Sequence, residues 1–257
     1  MTKIIDAVRT ICLGLPETQE VLSHGSPTYK AAQKSFAIYS LNHHGDDKVA
    51  LLVNLSVESQ QMLVSSAPKI FFVPPYVGTK GWVGIELNKG LDWNRVAQLA
   101  LDGYCRSVSP SKAKTAILPA FLPPTIQMKP EDINPLKSKT NQAILTKLRS
   151  IALDLPETVE NSQFGNPCFK AGKKSFAVIS HHKGTTTLQI WVGADRQLSM
   201  TSFDERFKIP SYIGHNGWIN LNLDTKLNWK EIGELVEMSY RHFALKRMLY
   251  ALDSAGP

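Results

Sequence analysis

Apolar positions along this chain recur first with a helical period, then alternate with the period of a strand, and the whole succession is written twice. Ile4, Ile5, Val8, Ile11 and Cys12 fall on one face of a helix closed by Gly14; Ile144, Leu145, Leu148, Ile151 and Ala152 do the same behind a cap at Thr140 or Asn141. Two short strands follow, 28–31 and 35–40, joined by a tight polar turn, with Phe36 and Ile38 on one face and Phe176 and Val178 in the same places of the second copy. A third strand, 49–54 or 188–192, leads into a short helix near 57–66 or 195–202, and 82–87 and 218–223 read as further strands. The last helix starts after Asp92, or after Asn228 with Glu231 as its capping-box partner. Its buried stripe holds Trp93, Val96, Leu99 and Tyr104, matched by Trp229, Ile232, Leu235 and Tyr240. Each half therefore reads as an α+β domain, an antiparallel sheet with helices packed on one face.

The repetition is close enough to align by eye. GSPTYKAAQKSFAIYS (25–40) returns as GNPCFKAGKKSFAVIS (165–180), and Leu15-Pro16-Glu17-Thr18 returns as Leu155-Pro156-Glu157-Thr158 at the same offset of 140 residues. PPYVGTKGWVGIEL (74–87) returns as PSYIGHNGWINLNL (210–223) at an offset of 136, the missing residues falling where HHGDDK faces HHKG. A period this long marks tandem domains, since solenoid repeats run to about 20–50 residues. The domains are expected at 1–118 and 139–257, with a linker at 119–138. The stretch from Ser109 to Lys139 holds six of the fifteen prolines. It also carries Phe121, Leu122, Ile126, Met128 and Ile133, so it is expected to lie against the domains and fix their orientation.

Composition adds little that is specific. The 257 residues carry a net charge of +7, spread as +3 over 1–118, zero over 119–138 and +4 over 139–257, which permits a polyanionic partner without a basic tail. Cys12, Cys105 and Cys168 share no metal-ligand spacing and read as unpaired thiols. No apolar run reaches the roughly 18–20 residues of a membrane span, and the start TKIIDAVRTICLG is not a signal peptide, so a soluble, cytoplasmic protein with no membrane partner is expected.

The motifs stand in a recognisable order: G-x-P-x-aromatic-K, a basic turn, K-S-F-A, Y-[VI]-G-x-x-G-W, and a closing helix with G-Y or S-Y. In this order they resemble the MmcQ/YjbR-like family. The resemblance covers about 1–118 and again 139–257, so the family's usual single domain is present twice. It implies a frataxin-like (CyaY-like) fold and DNA binding through a double-wing motif. Gly25, Pro27, Tyr29 and Lys30, with Gly165, Pro167, Phe169 and Lys170, match the first motif; Lys34 and Lys174 match the lysine before S-F-A. Gly78, Gly81 and Trp82, with Gly214, Gly217 and Trp218, match the second, where Lys80 of the first repeat faces Asn216 of the second.

The basic hairpin is the leading candidate for chemistry. Lys30 and Lys34, and Lys170, Lys173 and Lys174, cluster where a hairpin tip can approach phosphates, with Lys80 in the neighbouring turn. The same lysines also suit an edge that must resist strand pairing. The Y-[VI]-G-x-x-G-W segment precedes a strand, not a helix, and so reads as a tight turn with positive φ at glycine and a tryptophan packed on the sheet. His43-His44 and His181-His182 recur before the third strand without a carboxylate or cysteine at ligand spacing, and read as solvated loop histidines. The first helix, with one Asp against Lys3 and Arg9, lacks the oxygen ligands an iron site needs. Glu17 and Glu157 read as turn or cap residues, and no nucleophile has a visible base. No metal, cofactor or catalytic residue is expected. The leading expectation is a non-enzymatic tandem protein docking its basic hairpins on the backbone of double-stranded DNA. The competing one is a small-molecule or protein interaction module, active in stress or drug resistance, with a cleft at Tyr29, Trp82, Phe169 and Trp218.

Overall fold

The structure, a computed structural model, describes residues 2–254 and divides into two compact units, Met1–Ile133 and Asn134–Pro257. The first opens with α1 (Ile4–Leu13), then β1 (Thr18–Ser23), β2 (Ser26–Ala31), β3 (Lys34–Leu41) and β4 (Val49–Asn54). It continues with α2 (Val57–Ser66), the two-residue β5 (Phe71–Phe72), β6 (Trp82–Glu86), α3 (Trp93–Ser107) and the short α4 (Pro110–Thr115) and α5 (Pro130–Ile133). The second repeats the plan as α6 (Lys139–Ala152), β7 (Thr158–Gln163), β8 (Asn166–Ala171), β9 (Lys174–His182), β10 (Thr185–Trp191) and α7 (Ala194–Phe203). It closes with β11 (Phe207–Lys208), β12 (Trp218–Asn222), α8 (Trp229–Phe243) and α9 (Lys246–Ser254). Each unit is a six-stranded antiparallel sheet, ordered β1-β2-β3-β4-β6-β5 and β7-β8-β9-β10-β12-β11. Among the described residues no helix is long and apolar enough to cross a membrane.

The sheets depart from simple alternation at one place in each unit. Between Tyr29 and Lys30 the β2–β3 register skips Phe36, and between Phe169 and Lys170 the β8–β9 register skips Phe176. Such a bulge sets two successive side chains on one face. Phe36 and Ala37 are both fully buried against the helices, and Tyr39 follows them into the same core; Phe176, Ala177 and Ile179 do likewise. Ile38 and Val178, expected on the face of the preceding phenylalanine, therefore point to the other side of the sheet. An unbroken period of two cannot foresee this, because the extra residue inverts every later position.

The bulge phenylalanine is held by a tyrosine from the last long helix. Tyr104 stacks edge-on against Phe36 at 5.8 Å and Tyr240 against Phe176 at 5.4 Å. Their hydroxyls donate to the carbonyls of Pro16 (3.0 Å) and Pro156 (2.7 Å), closing helix, sheet and first turn into one body. The backbone also approaches closely here. A Cβ on Gly103 would lie 2.5 Å from Val53 Cγ1 and 3.0 Å from the Phe36 carbonyl oxygen, whereas its counterpart Ser239 donates its hydroxyl to the Phe176 carbonyl at 2.5 Å. A second shared tie joins the opening helix to β1 or β7 through bidentate pairs, Arg9–Glu20 and Arg149–Glu160.

Helix ends follow the expected chemistry with two differences. Asp92 and Asn228 cap α3 and α8, but Glu231 turns its carboxylate to Arg206 instead of back to the cap. The cap of α6 is Ser138, whose oxygen accepts from Asn141 N–H, in place of the expected Thr140 or Asn141. The connector packs on the first unit. Leu118, Phe121 and Met128 lie against its core, Ile133 joins it, and Asn88 exchanges two 2.8 Å hydrogen bonds with the backbone of Met128. Leu136 belongs to the second core, so the division falls at 133/134, inside the stretch whose prolines mark it as a linker.

Replacing Tyr104 or Tyr240 by Phe deletes one hydrogen bond to a carbonyl and leaves the ring; each change is expected to cost about 1–2 kcal/mol in urea denaturation. Arg9 holds the Glu20 carboxyl below its ordinary range, chiefly through their hydrogen bonds. The pair thus stabilises the fold above the ordinary carboxylate range and is lost as pH falls through the lowered value. Arg9→Gln is expected to cost less than about 1 kcal/mol at neutral pH, given the partial exposure of both side chains, and the parent and variant are expected to converge in acid.

Candidate functional site

The two hairpin tips carry the lysines singled out in the sequence. Ala32 and Gln33, at φ 47° and 67°, form the primed two-residue turn that matches strand twist, and Gly172 at φ 58° begins the second. Lys34 faces Ala31 across the tip, and Lys30 sits between Gln19 and Ser35; Lys174 faces Ala171, and Lys170 sits between Val159 and Ser175. Lys34, Lys173 and Lys174 are exposed and Lys30 and Lys170 half-buried. Among the described residues none of them, nor Lys80, makes an ion pair.

Register gathers further cations at the same end of each sheet. Ala37 pairs with Val53 and Asn54 with Trp82, so the turn before β6, with Lys80 exposed in it, closes beside the β2–β3 tip. That turn is fixed from below: Gln60 donates to the carbonyls of Gly78 and Trp82, and Gln197 to those of Gly214 and Trp218. Gly81 is at φ 88°, and a Cβ there would lie 2.5 Å from the carbonyl oxygen of Leu55. The contact of Gly103 with Val53 and Phe36 brings the end of α3, with Arg106, to this end, and α4 follows with Lys112 and Lys114. In the second unit Leu245 lies 3.5 Å from the Cβ position of Gly172, bringing Lys246 and Arg247 beside the tip.

Two glutamates partly balance this charge. Glu17 and Glu157, at φ 53° and 52°, sit in the left-handed region after the prolines whose carbonyls the tyrosines grip. Glu17 pairs with Lys112, and Glu157 pairs with Arg247 at 2.6 Å, whose hydrogen bonds hold its carboxyl below the ordinary range.

Other expected site residues lie elsewhere. Tyr29 and Phe169 line no cleft, since both are fully buried in the cores, where the bulged register points them inward. Burial raises the Tyr29 phenol and the Cys12 thiol well above their ordinary ranges. Trp82 is buried, and Trp218 stacks at 5.4 Å on Phe243. Trp191, on the strand beside Trp218, stacks on His242 at 3.5 Å and donates its indole N–H to Asn216 O. The histidine pairs are not equivalent: His43 and His44 lie in a short 3-10 turn, while His181 and His182 end β9, with His181 bonded to Thr186. Among the described residues no group of three or more His, Cys, Asp or Glu is placed to hold a metal ion.

The YjbR family model matches residues 13–106 and again 153–242. The chain belongs to the YjbR family. A crystal structure of the Deinococcus radiodurans protein DR2400, with a DUF419 domain, aligns with 50% of this chain and 97% of its own at 18% identity and a TM-score of 0.36. No curated protein matches the chain.

Sequence reading missed several charges of these YjbR repeats, namely Arg106, Lys112, Lys114, Lys246 and Arg247. Arg106 ends the last long helix of its repeat, the other four stand on short helices that follow the long ones, and α4 falls in the proline-rich stretch that reads as linker. The nearest signal was the doublet Lys246-Arg247 and the Lys-Ala-Lys of 112–114.

Two variants separate scaffold from surface in thermal melts. Lys34→Ala combined with Lys174→Ala is expected to shift stability by no more than about 0.5 kcal/mol, since both side chains are exposed. Gly81→Ala is expected to cost more than about 1 kcal/mol, because neither its φ nor the Leu55 carbonyl leaves room for a methyl group.

Proposed function

We propose that this YjbR-family protein is a non-enzymatic nucleic-acid-binding protein whose two repeats each dock one end of the sheet on the phosphate backbone of duplex DNA. The observation that carries this reading is the gathering of unpaired lysines at that end: Lys30, Lys34 and Lys80 in the first repeat, and Lys170, Lys173 and Lys174 in the second. Lysine ammonium groups on hairpin tips contact phosphate oxygens as point charges, without reading base edges, so the reading is of backbone binding with little sequence preference. Neutralising phosphates releases condensed counterions and makes affinity fall steeply with salt. Covalent linkage of the repeats turns the second docking event into an intramolecular one and raises the overall affinity.

Glu17 and Glu157 fit this reading as local brakes, each occupying one cation of its repeat. The tyrosine latch, the glutamine under the Gly78–Gly81 turn and the bulge hold the tip on a rigid sheet. Such support keeps the entropic cost of docking low.

Fluorescence anisotropy with a labelled duplex of arbitrary sequence tests the proposal. The parent is expected to bind with a steep negative slope of log K against log salt. Lys34→Ala and Lys174→Ala are each expected to flatten it by about 0.9, and equally on unrelated sequences. Absence of binding, or binding that these substitutions leave unchanged, overturns the proposal.

A further inference from the structure

The second motif, Y-[VI]-G-x-x-G-W, carries a feature that its role as a tight turn does not require. Tyr76 is at φ 65° with the Val77 N–H donating to the Pro75 carbonyl at 2.8 Å, and Tyr212 is at φ 68° with the Ile213 N–H donating to Ser211 at 2.9 Å. Both are γ-turns of the strained, positive-φ kind, a conformation that disfavours a bulky side chain. Packing does not explain the tyrosine, because Tyr76 is 77% and Tyr212 94% exposed. Strain of this sort is found at ligand sites and switch regions, and because both repeats share it, the cavity beside Tyr76 is what singles out the first.

In the first unit Tyr76 is aimed at a cavity. It stands at the rim of a hollow of about 640 Å³ on the sheet face opposite the helices, a volume in the range of small-molecule sites. The bulge created that face by turning Ile38 outward, and Ile38 and Leu52 form its apolar floor with Thr28 beside them. Phe72 makes one wall, lying over Gly84, where a Cβ would come within 2.3 Å of the ring. His43 and His44 face Tyr76 across the rim at ring separations of 6.2 and 5.6 Å. Ser40 opens into the hollow, buried and with no side-chain hydrogen bond among the described residues, whereas its counterpart Ser180 pairs with Thr187.

We propose that this cavity binds an uncharged planar heteroaromatic molecule, which stacks on Tyr76 over the Ile38–Leu52 floor and turns its hydrogen-bonding edge to Ser40 and His43. Three features point to that class. The walls are rings and prolines, which favour a flat apolar face. The polar groups are hydroxyls and imidazoles, which offer both donors and acceptors, and one carboxylate, Asp46, which accepts the Lys48 backbone N–H at 3.1 Å. Burial, and then the neighbouring His44, lower the pKa of His43 and favour its neutral ring, which suits an uncharged partner. The second repeat has replaced the wall and floor with Lys208, Asn220 and Gln189 at the positions of Phe72, Gly84 and Leu52, so the site belongs to the first repeat alone. It lies apart from the basic sheet end and stands whether or not the lysines bind DNA.

Fluorescence titration of the full chain with lumichrome, an uncharged tricyclic heteroaromatic, tests the site. The parent is expected to bind saturably. Tyr76→Ala, at an exposed position, is expected to keep the parent's melting temperature and weaken binding about five- to tenfold through loss of the stacked ring. Phe72→Lys, which installs the second repeat's residue, is expected to weaken it as well, and Tyr212→Ala to leave it unchanged. Failure of the parent to bind lumichrome saturably overturns the proposal, as does binding that neither Tyr76→Ala nor Phe72→Lys weakens.

Discussion

One backbone irregularity, the bulge at Phe36 and again at Phe176, organises each half of this protein. The extra residue sends two successive side chains into the core and inverts the strand beyond, so Tyr39 and Ile179 point to the helices while Ile38 and Val178 point away. The buried phenylalanine gives the last helix its anchor, because Tyr104 and Tyr240 pack edge-on against it. Full burial of such a ring stabilises by roughly 1.5–3 kcal/mol. The tyrosine hydroxyl then grips the proline carbonyl before Glu17 or Glu157, which carries the constraint to the sheet end where the lysines stand. Core, latch and basic end are one mechanical chain.

The repeats keep this chain and differ in what surrounds it. Shared elements include the Arg–Glu tie of the opening helix, the glutamine beneath the glycine turn and the left-handed glutamate with its basic partner. Gly103 and Ser239 solve one problem in two ways: the first lets backbones meet, and the second inserts a hydroxyl that bonds the Phe176 carbonyl. Around the sheet end Trp191, His242 and Phe243 make an aromatic stack where the first repeat has Asn54, Arg106 and Ser107. On the outer face the apolar wall of Phe72 becomes Lys208. Duplication thus preserved the scaffold and left the surfaces free to diverge.

Much of the scaffold was legible in the sequence, because long amphipathic periods and paired motifs depend only on local geometry. The strand 49–54 and the helix 57–66 are found where the pattern puts them. The edge strands β1 and β7 were not legible: β7 reads Thr-Val-Glu-Asn-Ser-Gln and is mostly exposed, so it lacks an apolar alternation. Nor was the bulge, which leaves no mark on composition. Tyr29 and Phe169 show the consequence, since an aromatic in a shared motif suits a cleft as well as a core until the register is known. The lysines were visible as residues, whereas the union of Lys80 with the hairpin tip needed the pairing of β4 with β3 and β6.

The central claim is that the basic sheet ends, and not the outer faces, meet a polyanion. Amide chemical-shift mapping of the isotope-labelled full chain during titration with a short DNA duplex tests it most directly. The account predicts perturbations concentrated at residues 30–35, 78–82 and 170–175, fading as salt is raised. Perturbations confined to the outer face around Ile38 and Tyr76, or none at an excess of DNA over protein, would contradict it.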